Sequence, residues 1–365
     1  VKKGSLLVVW VMFILMAAGC SGSDGADKAS ADSSKNDSGG KAATSGESDF
    51  LEVTVKDGSY VMVNNKDGIS ENENAGLLLV NLSLKNKTDS SLTVSPLDGI
   101  KLYKGEEEKK VRRDVFSSEL GLETDYSGSI GPEKVKTMSV LFDVEKDQTY
   151  EIAIIPITNG YEEQEEVTLE LHTKDFSESF ETLQDPAKAL AAYIETVYFD
   201  KENPDYERYV TADKQALQAN AKDAFINGLK RVAYEAIPDT DIDKHYSSYK
   251  SVLSEKAEIT AETIANANGR AVVKVQYATI PLGDSNEKIS ELKSEYKDRT
   301  EDYDSKKAQD YAMSKFDAVL HSLDLQTGRY PMEIIMLNKD GKWTVDTSDY
   351  ASDSLVEVFA SGSRY

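Results

Sequence analysis

Gly76-Leu77-Leu78-Leu79-Val80-Asn81-Leu82-Ser83-Leu84 is the strongest strand signal in the chain. Leu78, Val80, Leu82 and Leu84 fall on one side of an extended backbone, and Asn81 and Ser83 fall on the other. That period-two alternation belongs to a strand with one buried face. Upstream, Leu51, Val53 and Val55 share a face of a short strand, and Tyr60-Val61-Met62-Val63 begins another. Residues 64–68 and 71–74 are rich in Asn, Asp and Gly and read as loops. Downstream, Asn86-Lys87-Thr88-Asp89 turns the chain and Leu92-Thr93-Val94 resumes it. Residues 100–103, 136–144, 150–157 and 167–172 complete a set of about seven strands. Short strands at this spacing predict an antiparallel β-sandwich over residues 49–176.

From residue 185 the spacing turns helical. Asp185-Pro186 is a helix start, since aspartate caps and proline suits the first turn. Leu190, Ala191, Ile194, Val197 and Tyr198 then form an apolar stripe on a helix of about 14 residues. A second helix is predicted over 214–233, with Leu217, Ala221, Phe225 and Leu229 four apart. A third covers 241–256 and carries Tyr246, Tyr249, Val252 and Leu253. Strands at 257–264 and 271–280 flank Asn266-Ala267-Asn268-Gly269, which is hairpin chemistry. Residues 284–326 are polar and free of proline, yet they carry Ile289, Leu292, Tyr296 and Phe316. This insertion reads as one long helix or a helical hairpin with a break near 302–305. Residues 331–337, Asp340-Gly341 and Trp343-Thr344-Val345 form a further hairpin, and a short helix follows at 353–359. The chain is therefore all-β first, then α+β over 185–365, with helices packed on a curved antiparallel sheet.

The N-terminal end carries a different message. Lys2-Lys3, an apolar run from Leu6 to Met16, and Ala17-Ala18-Gly19 before Cys20 have the order of an export signal over residues 1–19. The run is about 11 residues, against the roughly 20 that span a bilayer as a helix. Cys20 is the single cysteine of 365 residues, so no intrachain disulfide can form. Residues 21–48 are mostly Ser, Gly, Ala and Asp, with no aromatic or large aliphatic side chain. They are expected to form, with Cys20, a disordered tether over 20–48 with a coil dimension of about 30 Å.

Three resemblances follow from these residues. The segment 1–20 is similar to a bacterial lipoprotein signal, which implies lipidation of Cys20 by palmitate-type chains and anchoring at the extracytoplasmic face of the cell membrane. The bland alternatives are an uncleaved anchor, or an ordinary secretory signal with an incidental cysteine. Leu79-Val80-Asn81-Leu82-Ser83-Leu84-Lys85-Asn86-Lys87-Thr88, with Gly131-Pro132-Glu133-Lys134 and Ser139-Val140-Leu141-Phe142-Asp143-Val144, resembles the immunoglobulin-like domains of Bacillus-type surface lipoproteins, related to the immunoprotective extracellular protein fold of mycobacteria. Met336-Leu337-Asn338-Lys339-Asp340-Gly341-Lys342-Trp343-Thr344-Val345, with Asp346 after it, resembles the ending of cystatin-like, nuclear transport factor 2-like domains. Taken whole, the chain resembles Bacillus lipoproteins of the YcdA type. The resemblance implies an extracytoplasmic interaction module and supplies no catalytic residue.

The inventory for chemistry is thin. His172, His245 and His321 lie in unrelated segments, and a zinc site needs clustered His or Cys ligands. Asp239, Asp241 and Asp243 alternate like a calcium loop. Lys244 and Lys250, however, stand where that loop needs glycine and a bidentate glutamate. No phosphate loop or nucleophile elbow occurs. No catalytic residue, cofactor or metal ligand is expected, and Cys20 is the one candidate site, for lipid. The formal net charge of −23 argues against nucleic acid and against adhesion to anionic lipid. Nineteen tyrosines invite a sugar- or peptide-binding reading, with Tyr246 and Tyr249, or Tyr296 and Tyr303, on one face; core packing is the plainer one. The sequence thus predicts a membrane-anchored, non-catalytic binding module for an envelope protein or wall polymer. The alternative is a small-molecule receptor or enzyme using a pocket of the C-terminal domain. A third role, solute capture for an importer, needs two α/β lobes and does not fit the element order.

Overall fold

The computed structural model describes residues 44–63, 74–96, 98–109, 111–112, 117, 120–122, 128–158, 162–233 and 237–362. The leader, Cys20 and the tether up to residue 43 lie outside the described residues.

Eleven strands build the first half among the described residues: β1 (Ser45–Glu47), β2 (Leu51–Val61), β3 (Ala75–Asn86), β4 (Leu92–Val94), β5 (Ile100–Lys104), β6 (Glu107–Lys109), β7 (Ser129–Ile130), β8 (Val135–Glu145), β9 (Thr149–Ile154), β10 (Pro156–Thr158) and β11 (Val167–His172). They pair antiparallel as β1-β2-β3-β8 and β11-β9-β5-β6, with a small sheet β10-β4-β7 beside them. Leu78, Val80, Leu82 and Leu84 of β3 enter a core shared with Leu102, Tyr150, Ile152, Leu169 and Leu171 from the facing sheet. Side chains from two inner faces close the sandwich in the usual way.

Three local readings need correction. Leu51–Val61 is one strand, not two, because a register shift between Val55 and Asp57 carries the ladder past Lys56-Asp57-Gly58-Ser59. Gly58 lies so close to the Phe176 ring that an added Cβ would sit 2.9 Å from it, so the glycine serves packing there, not a turn. Second, the expected tether ends before residue 45, since Ser45–Glu47 pairs with Thr54, Val53 and Glu52. Backbone bonds at a sheet edge need no apolar side chain, and composition does not reveal them. Third, Asp185 does not cap its helix. Gln184 holds the cap position, and the Asp185 carboxylate instead pairs with Lys188 at 2.8 Å.

Residues 177–184, left between the two expected domains, contain α1 (Ser177–Glu181). Phe180 of α1 meets Tyr60 edge-on at 4.9 Å, which ties the connection to the sandwich. The second half then runs α2 (Asp185–Tyr198), α3 (Pro204–Tyr209), α4 (Lys214–Ala233), α5 (Asp239–Lys256), β12 (Glu258–Ala267), β13 (Arg270–Thr279), α6 (Ser285–Thr300), α7 (Ser305–Ser314), α8 (Phe316–His321), β14 (Gln326–Thr327), β15 (Met332–Lys339), β16 (Lys342–Val345) and α9 (Ala351–Phe359). The sheet order is β12-β13-β15-β16, with β14 on β13. Asn268-Gly269 and Asp340-Gly341 take φ of 50°, 73°, 54° and 82°. Both positions of each turn are left-handed, as a two-residue hairpin requires. The insertion is a hairpin of helices: Glu301 leaves α6 at φ 53°, and Asp304 caps α7 by accepting from the Lys307 N–H.

Leu77-Leu78-Leu79-Val80 departs from strict alternation for a reason seen only in three dimensions. Leu79 points away from the sandwich core into a second cluster with Val61, Leu120, Leu122 and Leu141, which Ala265 and Ala267 of β12 complete. Met62 and Asn266 exchange backbone hydrogen bonds of 2.8 Å beside it. Asn268 donates from its amide to the carbonyls of Leu120 and Gly121 at 3.0 and 3.2 Å. The two halves therefore share an apolar seam with backbone pairing.

Asn86 pins the other end of β3. Its buried amide donates to the carbonyls of Ser90, Ile130 and Gly131, and its oxygen accepts from the Thr88 N–H and hydroxyl. Asn86→Ala strands these groups out of water, and we expect a loss of about 2–4 kcal/mol in unfolding free energy, measured by urea denaturation.

Candidate functional site

The three histidines occupy separate surroundings. His172 lies 3.0 Å from the Thr149 hydroxyl and 3.3 Å from Glu170. His321 stands between Glu255 and Asp317 at 3.6 and 3.8 Å. His245 is buried on α5, with its ring edge-on to Phe316 at 4.9 Å. Burial pushes the His245 imidazole below its ordinary value, against an opposing pull from Asp241. No cluster of three or more His, Cys, Asp or Glu that could hold a metal occurs among the described residues. Asp239, Asp241 and Asp243 lie in the opening turns of α5. Asp346 serves the fold: hydrogen bonds from Ser348 hold its carboxyl below the usual range, and Arg270 approaches at 3.4 Å.

Of Tyr246, Tyr249, Tyr296 and Tyr303, two are core residues, one is half-buried and Tyr303 is exposed. Tyr246 and Tyr249 are buried against Phe225 at 5.1 and 5.3 Å. Burial raises the Tyr246 hydroxyl to about 12 and pushes Tyr249 up as well, so both stay protonated. Tyr296 pairs with Tyr311 of α7 at 5.6 Å, not with Tyr303, because α6 ends at Thr300. Tyr198, Phe199 and Tyr277 converge on Phe359 at 5.9, 5.4 and 5.7 Å. These rings pack together in the core between helices and sheet. Trp343 is buried in the same core.

A polar groove lies elsewhere, on the outer side of α5. Its volume is about 430 Å³, within the range of small-molecule sites. Phe199 and Asp200, just past α2, form one wall. Ser247, Lys250, Ser251 and Ser254 form the other, with Glu255 at the end. The positions follow from the helix: residues 247, 251 and 254 share a face opposite the buried Tyr249, Val252 and Leu253. Lys250 crosses the groove to Asp200 at 2.7 Å and lies 5.1 Å from the Tyr246 ring centre. Asp200 holds a left-handed φ of 57°. Sequence reading assigned none of these residues a role. The usable signal was Ser-x-x-x-Ser-x-x-Ser around one lysine, and it became meaningful only with Asp200 opposite.

Residues 176–360, half of the chain, match the family described as a domain of unknown function (DUF5105). The chain belongs to that family. Residues 43–165 match a second domain of unknown function (DUF4352), whose start agrees with β1. Over 98% of its length the chain is 26% identical to a Bacillus subtilis protein named "Uncharacterized lipoprotein YcdA", of which it covers 98%. The crystal structure of YcdA from Bacillus subtilis shares the fold at a TM-score of 0.65 and 24% identity, over 87% of this chain and 99% of that one. The expected β-then-α+β order and the resemblance to YcdA-type lipoproteins are thus both found. Among the described residues, no helix is long and apolar enough to cross a membrane.

The lowered His245 value has a sign that can be tested. The unfolded chain binds a proton more readily than the folded one, so stability falls as pH drops below about 6.5, the ordinary histidine value. His245→Gln should flatten the change in melting temperature between about pH 7.5 and 5.5, relative to the unaltered chain measured alongside.

Proposed function

We propose that this chain is a lipid-anchored protein of the extracytoplasmic membrane face, with a folded body that binds a partner without chemical turnover. One observation carries the reading. The sole cysteine follows a basic start, a short apolar run and three small residues, in a chain similar along nearly its whole length to a protein named a lipoprotein. Each acyl methylene buried in the bilayer contributes about 0.8 kcal/mol, and stable anchoring takes two signals. Two acyl chains on Cys20 supply them.

Binding without turnover is favoured by the placement of the reactive side chains. The core tyrosines stay protonated, His245 is packed against Phe316, and the other histidines pair with surface carboxylates. An envelope protein or wall polymer is the partner class that a tethered, acidic, two-core body suits. A second reading, a small-molecule receptor, is favoured by the α5 groove, which has the volume and the converging polar groups of a binding site.

Cys20→Ser tests the anchor. The unaltered chain is expected in the membrane fraction with an acylated N-terminal cysteine by mass spectrometry. The serine form is expected in the soluble fraction, with an unchanged circular dichroism spectrum. A serine form that stays in the membrane would contradict the assignment.

A further inference from the structure

We propose that the α5 groove binds a small hydroxylated cation, of which an amino sugar with a free amine is the representative chemistry. This deepens the small-molecule reading above and rests on it.

An exposed helix face ordinarily carries long helix-forming side chains. Here residues 247, 251 and 254 are serines, which are weaker helix formers and leave the concavity open. Ser247 donates to the Asp243 carbonyl at 2.9 Å, which leaves its oxygen lone pairs toward solvent. Ser251 and Ser254 have no side-chain hydrogen-bond partner among the described residues. A row of hydroxyls, each able to donate and accept, matches a ligand that carries hydroxyls of its own.

Charge selects the ligand's sign. Lys250 is the groove's cation, and Asp200 already neutralises it at 2.7 Å, with the lysine side chain only 19% exposed. A visiting anion would have to break that pair. Glu255 has no lysine or arginine partner among the described residues; its neighbour is the His321 imidazole at 3.6 Å, and its side chain is 63% exposed. With Asp200 and Lys250 cancelling, one negative charge remains at the end of the serine row. The formal charge of −23 on the whole chain adds long-range attraction of the same sign. An ammonium near Glu255, with hydroxyls along Ser254, Ser251 and Ser247, satisfies every group the groove offers.

The test is isothermal titration of the full chain in detergent with glucosamine, glucose and glucose 6-phosphate, at about pH 7, where an aliphatic amine is still mostly charged and imidazoles are mostly neutral. Glucosamine should bind about tenfold more tightly than glucose, the size of one surface charge interaction. The phosphate should bind most weakly, and salt should narrow the gap. Glu255→Gln should bring glucosamine down to the level of glucose, and Ser251→Leu should fill the groove and abolish both. Glu291→Gln, on the exposed side of α6, should leave binding unchanged. Equal binding of glucosamine and glucose, binding that survives Ser251→Leu, or no binding of glucosamine would each overturn the proposal. None of these results touches the Cys20 anchor, which membrane fractionation judges separately.

Discussion

Met62 and Asn266 pair backbone to backbone at 2.8 Å in both directions, and the arrangement of the molecule depends on that joint. It lies where the end of β2 meets the edge of β12, so the sandwich borders the second sheet directly, with no free linker between them. Each such bond contributes about 0.5–1.5 kcal/mol in net terms. The apolar seam of Val61, Leu79, Leu120, Leu122, Leu141, Ala265 and Ala267 excludes water from beside it. Asn266 adds a side-chain bond to the Leu183 carbonyl, and Thr263 accepts from the Ala187 N–H at 3.1 Å. With no second cysteine for a crosslink, packing and backbone pairing must hold the halves.

This joint also explains which parts of the fold could be read from the residues. Alternation at Leu78, Val80, Leu82 and Leu84 reports the sandwich core because a strand's side chains repeat every two residues. The Asn268-Gly269 and Asp340-Gly341 turns were equally legible, since few residues tolerate two successive left-handed positions. Ser45–Glu47 was not legible, because its pairing uses only backbone atoms. Nor was α3, six residues long and too short to show periodicity. The seam role of Leu77 and Leu79 was not legible either, because their partners on β12 lie nearly two hundred residues away (roughly the length of a whole domain).

For the candidate site the limits are of another kind. Cys20 is readable because a lipid signal is a local pattern. The groove is not, since Asp200 and Lys250 meet across 50 positions and neither stands out alone. Aromatic rings converge on Phe359 in the core, and the groove lies on the outer side of α5. The groove itself is mostly polar and charged, with Phe199 as its link to the core. Binding there would leave both cores undisturbed.

If the seam joins two cores into one body, both should open together. Hydrogen–deuterium exchange in rising, sub-denaturing urea measures this directly, comparing amides of β3 with amides of β13. The account predicts a common opening free energy and a common urea dependence for the two strands. Leu79→Asp, which places a charge in the seam, should separate them. Two independent openings in the unaltered chain would contradict it.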